Sequence, residues 1–207
     1  MPRLWIKISF TFLIITAILG AFLRFLIIQP IEGINYKYFL HGHSHVAFMG
    51  WIFNALFAII YISFIKQNDR PIKSYSIMFW LFQISVVGML LTFPVQGYAA
   101  LSITFSTMHV LVSWWFAFKA WKDISDLPAH KFSAPRAFIK WSLLFMVLSS
   151  AGPFALGYIM AKGLSDTYFY QLAIYFYLHF QYNGWFTFAI LPMVSFSICL
   201  TLLTLNY

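Results

Sequence analysis

The stretch HGHSHVAFMGWIFNALFAII, residues 41–60, decides how this chain folds. Three histidines alternate with small residues, and a long apolar run follows them at once. Crossing the hydrocarbon core of a bilayer takes roughly 20 predominantly apolar residues in a helix, and this run continues to a suitable length. The sequence therefore predicts a membrane helix that carries imidazoles at one end.

The composition of the whole chain agrees with a membrane setting. Of 207 residues, 62% are hydrophobic, 22% aromatic and only 9% charged, a balance that excludes an ordinary soluble domain. No linker or low-complexity tract divides the chain, so we expect a single integral membrane domain over residues 1–207. The fold class we predict is an all-α, polytopic membrane helix bundle with about six transmembrane helices. The predicted spans are 5–28, 38–65, 75–94, 99–118, 141–161 and 168 to about 196.

The predicted spans place most of the basic residues on one side of the membrane. The formal net charge is +8, but if the six spans alternate, only Lys37 and Lys162 fall in loops on one side. The opposite side carries Arg3, Lys7, Lys66, Arg70, Lys73, Lys119, Lys122, Lys131, Arg136 and Lys140. The positive-inside rule then places both termini in the cytoplasm, and we expect a bacterial inner membrane. The partner expected of this charge is the lipid bilayer, and not nucleic acid.

The acidic residues all fall outside the predicted spans, several of them in or near a predicted cytoplasmic loop at 122–140. They are Glu32, Asp69, Asp123, Asp126 and Asp166. Proton-pumping transporters usually keep a costly acid inside the membrane. Because no predicted span contains one, we do not expect a proton pump.

Three histidines lie at similar depth in the spans that run from outside to inside. His45, His109 and His179 are about 7, 11 and 12 residues into their spans, or roughly 10–18 Å at 1.5 Å per residue. A neutral imidazole is the commonest metal ligand and is cheaper to bury than a charge. The three side chains are therefore candidates to share a cofactor. For His109, a hydrogen bond to a neighbouring helix is the alternative.

The histidine triplet at 41–45 allows two geometries. If the segment is helical, His41 and His45 share a face while His43 points about 200° away, so the ligands address two centres. If it is extended, all three face one side and form a small metal clip. Interfacial histidines that contact lipid headgroups are the third interpretation.

A short pattern occurs twice with identical spacing. His45, Gly50 and Trp51 form H-x4-G-W, and the same pattern returns in HFQYNGW at 179–185, four spans later. Two copies in helices of the same direction indicate an internal repeat. Glycine lets another helix or a flat macrocycle approach closely.

These residues resemble a known family. HSHVAFMGW at 43–51 is similar to the H-x-H-x4-G pattern in subunit I of haem-copper oxidases, particularly nitric oxide reductases and C-type oxidases. HFQYNGW at 179–185 resembles the reductase helix that supplies a histidine to the non-haem metal and usually reads H-x3-E-G. Asn183 stands where that glutamate would be. The resemblance implies the N-terminal six-helix half of a fold built from three groups of four helices.

The resemblance also implies roles for individual residues. His45, with His43 beside it, looks like the axial ligand of a low-spin haem b, and His179 looks like a ligand of copper or non-haem iron. The family's other metal histidines lie in helices seven and ten, which these six spans do not include. His109 could then supply a second axial ligand. Arg24 could pair with a haem propionate, or its side chain could extend to the lipid interface.

The function we expect is haem binding for electron transfer, or redox chemistry on a small ligand such as O2 or NO. Complete terminal oxidase activity is not expected of this chain alone. A second membrane subunit or a homo-oligomer could contribute the missing ligands. The alternative is a non-enzymatic membrane subunit or a copper or zinc carrier that uses His41, His43 and His45.

Overall fold

The computed structural model describes residues 2–66, 72–126 and 129–193, without the side chains of 129–133. Within these ranges the chain is largely helical and forms no strand. Three residues of the charge pattern lie outside this description, as does the end of the sixth predicted span. They are Asp69, Arg70 and the side chain of Lys131.

The described helices follow one another with short connections. They are α1 (Pro2–Ile28), α2 (Tyr36–Ile65), α3 (Ile72–Gln96), α4 (Ala100–Ser125), α5 (Ala129–Ser149), α6 (Ala151–Ala161) and α7, which begins as Tyr168–His179 and continues through Phe180–Phe186 to residue 193. Within the described ranges, five helices are long and apolar enough to cross a membrane: α1 to α4, and the span Ala134–Ala161 formed by α5 and α6. The predicted all-α membrane bundle is confirmed.

The predicted loop at 122–140 is wrong, because the described part of this segment is helical. Helix α4 continues to Ser125, and α5 begins at Ala129. Asp123 therefore lies inside α4, where it is buried and its carboxylate is 3.2 Å from the amino group of Lys119. The statement that no spanning helix contains a carboxylate is also wrong. The predicted span ended early because the residues after 118 are polar. A Lys and an Asp one turn apart can nevertheless pair and stabilise a helix.

The chain divides into two compact units, Met1–Val112 and Ser113–Tyr207. Each unit is described by itself below. The prediction that they make one domain stays a prediction.

In the first unit, α2 packs against α1 and α3. Trp5 is fully buried, with its ring 5.1 Å from that of Phe79 and 5.2 Å from that of Tyr61. Deeper in the same interface, Asn54 and Gln83 exchange amide hydrogen bonds of 3.2 and 3.1 Å. Both amides are buried, so their mutual pairing removes the cost of placing them in an apolar bundle.

Local sequence explains where α2 begins and where α3 ends. The side chain of Asn35 accepts hydrogen bonds from the backbone N–H groups of Lys37 and Tyr38, which caps α2. Helix α3 ends where Gly97 adopts a positive φ of 61° and its N–H bonds to the carbonyl of Phe93. This turn brings Tyr98 back over the first turns of α2.

In the second unit, α7 packs against α5 and α6. Gly152 on α6 lies against α7, since a Cβ there would be only 2.7 Å from the carbonyl oxygen of Ala173. Further along, the Ser149 hydroxyl is 2.9 Å from the Gln181 side-chain oxygen. These contacts hold α7 against α6 before His179 and against α5 after it.

Candidate functional site

The histidine triplet is helical. Residues 41–45 belong to the α-helical start of α2, so the extended metal clip is not formed. His41 and His45 share the face of α2 that meets α3, whereas His43 lies on the face toward α1. The structure adopts the helical one of the two predicted geometries, because the Asn35 cap and the contacts with both neighbours favour an unbroken helix.

His45 is held between two aromatic side chains from the end of α3. Its ring stacks on Phe93 with centroids 4.3 Å apart and an interplanar angle of 11°. Its Nε2 atom is 3.3 Å from the hydroxyl of Tyr98. The ring of His41, one turn earlier, meets Tyr98 edge-on at 4.7 Å. Tyr98 therefore covers both imidazoles on this face.

His43 faces α1 at a glycine. A Cβ at Gly20 would lie 3.2 Å from Cε1 of His43, so the absence of a side chain there makes room for the imidazole. The Nδ1 atom of His43 is buried and has no hydrogen-bond partner in the described structure. Arg24, one turn beyond Gly20 on α1, is exposed. Its predicted pairing with a propionate stays a prediction.

His109 on α4 is the most deeply buried imidazole in the described structure, with 3% of its surface exposed. Its Nδ1 atom is 2.9 Å from the hydroxyl oxygen of Ser85 on α3. The rings of Phe53 and Phe82 lie 4.9 and 4.8 Å away. Its second nitrogen, Nε2, is buried and has no hydrogen-bond partner among the described residues. The alternative prediction, a hydrogen bond to a neighbouring helix, is correct for Nδ1 and leaves Nε2 unexplained.

His45 and His109 belong to the same unit. Each is nine residues from the start of its helix, where the sequence predicted about 7 and 11. Two imidazoles are a sufficient protein ligand set for a six-coordinate haem iron. In the described ranges, no group of three or more His, Cys, Asp or Glu side chains is arranged to hold a bare metal ion.

His179 lies in the second unit, and its surroundings differ from those of His45. It is exposed, and its Nδ1 atom is 3.3 Å from the side-chain nitrogen of Asn183, one turn later on α7. Gln181 is buried and bonds to Ser149 instead. Of the polar residues that follow His179, Asn183 is the one with a hydrogen-bond contact to its ring, and Gln181 is not available for one.

The two H-x4-G-W copies share an unusual backbone. Immediately after His45, α2 changes to π-helical hydrogen bonding over Val46–Phe53, and immediately after His179, α7 does the same over Phe180–Phe186. Such π segments are rare and are concentrated at functional sites. The repeat predicted from spacing is thus also a repeat of local structure.

The two glycines of the repeat have equivalent neighbours. A Cβ at Gly50 would lie 2.9 Å from the ring of Phe12 on α1, and one at Gly184 would lie 2.5 Å from Cβ of Phe145 on α5. In each copy the glycine accepts a phenylalanine from the preceding span. The close approach is therefore between helices, one of the two possibilities that the sequence left open.

Three residues around the site were not predicted: Ser85, Phe93 and Tyr98. Ser85 is one serine in an apolar span, and its pairing with a residue 24 positions away has no signature in the sequence. Tyr98 offered a weak signal, because it follows a glycine in the short connection on the same side of the membrane as the triplet.

Comparison with known proteins does not assign this chain to a family. No family model matches it, and neither a curated protein nor a solved structure shows significant similarity to it. The resemblance to haem-copper oxidases therefore stays a prediction carried by the H-x-H-x4-G and H-x4-G-W residues alone.

Proposed function

We propose that this chain is a haem-binding membrane protein in which His45 and His109 would hold the iron of a b-type haem. The proposed work of the site is electron transfer, or redox chemistry on a small ligand such as O2 or NO. One observation carries the proposal: Nε2 of His109 is buried without a hydrogen-bond partner in the described structure, within the unit that also holds His45. A buried nitrogen lone pair is costly, and iron ligation would satisfy it.

The donor atoms fit a haem. Phe93 stacks on the flat face of His45 and leaves the ring edge, where Nε2 lies, for a ligand. That edge now meets the Tyr98 hydroxyl, so ligation at Nε2 requires Tyr98 to give up its 3.3 Å contact. Phe53 and Phe82 give His109 an apolar setting of the kind that excludes water from a cofactor.

Space for the macrocycle is the more demanding requirement. One groove of about 470 Å³ lies on α3, and another of about 340 Å³ lies between α6 and α7. No histidine lines either of these two grooves. A ring bound between His45 and His109 would therefore need the aromatic side chains beside them to move apart. The short connection that carries Tyr98 can move with little loss of packing, since Tyr98 is 39% exposed.

A bound haem would supply one-electron chemistry, and the residues of this chain would set its conditions. His45 and His109 would hold the iron, and Phe93 would fix the rotation of the His45 ring by stacking. Arg24, on the side of α1 nearest the triplet, would supply a cation for a propionate. His179 would be a candidate ligand for copper or non-haem iron only if other groups joined it.

We infer that the chain alone does not reduce O2 to water. Asn183 replaces the glutamate of the resembling reductase helix, and His179 lies exposed with Asn183 as its neighbour. The missing ligands would come from a second membrane subunit or from a second copy. Rapid four-electron O2 reduction by the purified chain, driven by an artificial electron donor, would overturn this inference.

The second candidate is a copper or zinc carrier. His41 and His45 lie one helical turn apart on the same face, a spacing that places two imidazoles on one metal ion. Because His43 faces α1, the three-histidine version of this proposal is replaced by a pair. Further ligands would have to come from the partner that receives the metal.

The decisive experiment combines metal analysis with a reduced-minus-oxidised optical spectrum of the purified chain. About one iron per chain, together with a Soret band that shifts on reduction, would support the haem proposal. A colourless protein with stoichiometric copper or zinc would support the carrier. A protein with neither metal nor spectrum after growth with haem precursors and metal salts would contradict both.

The proposed location is a bacterial inner membrane with both termini in the cytoplasm, supported by the sequence distribution of lysine and arginine. A membrane-impermeant thiol reagent applied to intact cells tests it in a Cys199→Ala background. Ser125→Cys should be protected and Glu32→Cys should be labelled, since both positions are exposed on the chain. Labelling of Ser125→Cys with protection of Glu32→Cys would reverse the orientation.

A further inference from the structure

We propose that Ser85 is a positioning residue for His109. Its hydroxyl keeps the imidazole proton on Nδ1, so that Nε2 stays unprotonated and its lone pair is available to a ligand. This inference deepens the proposed function, on which it rests for the identity of the ligand, a haem iron. The tautomer itself is a property of the chain and is tested without any cofactor.

The shorter of the two contacts of the Ser85 hydroxyl favours one placement of the protons. The Ser85 hydroxyl oxygen is 2.7 Å from the carbonyl oxygen of Phe82 and 2.9 Å from Nδ1 of His109. A hydroxyl has one proton, and a carbonyl can only accept. If the Ser85 hydroxyl donates to Phe82, Nδ1 of His109 must carry a proton and donate to the Ser85 oxygen.

The consequence falls on the other ring nitrogen. A neutral imidazole has one N–H, so a proton on Nδ1 leaves Nε2 with its lone pair. This is the nitrogen that is buried and has no partner among the described residues. An unsatisfied buried acceptor has lost its hydrogen bond to water without a replacement, which is costly. A metal or another electron-pair acceptor at Nε2 would remove that cost.

Burial makes this arrangement stable. Ser85 is fully buried and His109 is 3% exposed, so water does not compete for the hydrogen bond. Metal-ligating histidines generally donate their second ring N–H to an oxygen, which fixes both tautomer and ring orientation. The Ser85–His109 pair has that form before any ligand is present.

The other described candidate histidines lack this arrangement. His45 meets a tyrosine hydroxyl at Nε2, the edge that would bind a ligand. The ring of His179 meets an exposed amide, which can donate or accept after a rotation of the Asn183 side chain. Among the histidines whose side chains the structure describes, only His109 has one ring nitrogen bonded to a buried hydroxyl while the other is buried without a partner.

The first test is NMR of the full chain in detergent micelles, labelled with ¹⁵N-histidine and kept free of cofactor at a pH where imidazole is neutral. His109→Gln assigns the signals. The wild type should show Nδ1 protonated and Nε2 unprotonated. In Ser85→Ala the proton should move to Nε2 in most molecules, while Ser85→Thr should keep the wild-type tautomer.

Ser142→Ala is the matched control. Ser142 is also fully buried, and its hydroxyl also donates to the carbonyl three residues earlier, at 2.7 Å from Ile139, but no histidine contact involves it in the described structure. A wild-type His109 with its proton on Nε2 would overturn the proposal, as would an unchanged tautomer in Ser85→Ala. If Ser85→Ala does not fold, the wild-type and Ser85→Thr spectra still decide.

The second test uses the haem-loaded protein. Ser85→Ala should lower haem retention by about 10-fold or more, the usual effect of losing a residue that orients a metal-bound histidine. Ser142→Ala should retain haem as the wild type does, and equal retention by all three proteins would overturn the proposal. A wild type that binds no haem would contradict the proposed function, and the tautomer measurement would still decide the role of Ser85.

Discussion

The two copies of the H-x4-G-W motif have the same local structure and different surroundings. In both, the histidine ends an α-helical stretch, a π segment follows, and the glycine accepts a phenylalanine from the preceding span. His45 then lies against Phe93 of the next span and Tyr98 of the connection that follows it, whereas His179 is exposed beside an amide of its own helix. A short motif thus specifies a helix and its nearest packing, while the chemistry of its histidine depends on the next helix.

The largest expected effect separates the two histidines. His45→Ala should abolish the low-spin haem spectrum, because it would remove one of the two proposed iron ligands, a larger loss than the roughly 10–100-fold cost of losing a residue that only orients one. His179→Ala is the matched control and should keep that spectrum. Haem content and the reduced-minus-oxidised spectrum are the measurements. If haem survives His45→Ala and is lost from His41→Ala, the assigned register is wrong.

The glycines of the motif should differ in their tolerance of a methyl group. Gly184→Ala should lower the free energy of unfolding by about 1–3 kcal/mol, because the new Cβ would meet Cβ of Phe145 at 2.5 Å. Gly50→Ala should cost less, since its nearest contacts are ring atoms of Phe12 at 2.9 and 3.0 Å. Denaturant titration in micelles measures both.

Gly157→Ala is the control for both glycine variants. A Cβ at Gly157 would meet nothing within 4 Å, so this helical substitution should stabilise the protein, by up to about 1 kcal/mol. A larger cost at Gly50 than at Gly184 would contradict the described packing.

The amide pair between α2 and α3 should contribute more than the corresponding contact in the second unit. Asn54→Leu and Gln83→Leu should show a coupling energy of about 1 kcal/mol in a double-mutant cycle, because each variant removes both amide–amide hydrogen bonds and leaves the other amide only its bond to a carbonyl of its own helix. The cycle between Ser149 and Gln181, joined by one hydrogen bond, should give about half of this. Equal coupling energies for the two pairs would contradict the expected difference between the two units.

The smallest effects concern the polar groups that contact the two histidines. Tyr98→Phe and Asn183→Ala should each change the free energy of unfolding by less than about 1 kcal/mol, since both side chains are exposed. Tyr98→Phe should leave the haem spectrum in place, because the proposed iron ligand at Nε2 of His45 would take the place of that hydroxyl. Loss of the spectrum from Tyr98→Phe would show that the hydroxyl is needed for binding.

Hydrophobic length predicted the helices of this protein well, because spanning a bilayer sets a minimum that few other segments reach. The same criterion failed at the C-terminal end of α4. Lys119 and Asp123 lower the apolar content there, but they pair with each other along the helix. Spacing predicted the shared face of His41 and His45, which follows from helix geometry once the helix is assumed.

The residues around the histidines could not be predicted in the same way. Ser85 contacts His109 only because α3 and α4 lie side by side, and no pattern within either helix records that neighbour. Likewise, the different exposure of His45 and His179 follows from which helix covers each of them. Pairwise packing between helices is a property of three-dimensional structure, and a single sequence carries little information about it.

The π segment at Val46–Phe53 has a consequence for insertions and deletions in α2. Each hydrogen bond in it closes over one more residue than in an α-helix, so the segment holds surplus chain. Deleting one residue there can therefore be absorbed by a return to α-helical bonding, with the residues beyond it close to their present orientation relative to His45. His45 and Asn54 would then still face Phe93 and Gln83 together. The π segment thus makes this part of α2 tolerant of a one-residue deletion that would turn the remainder of a regular α-helix by about 100°.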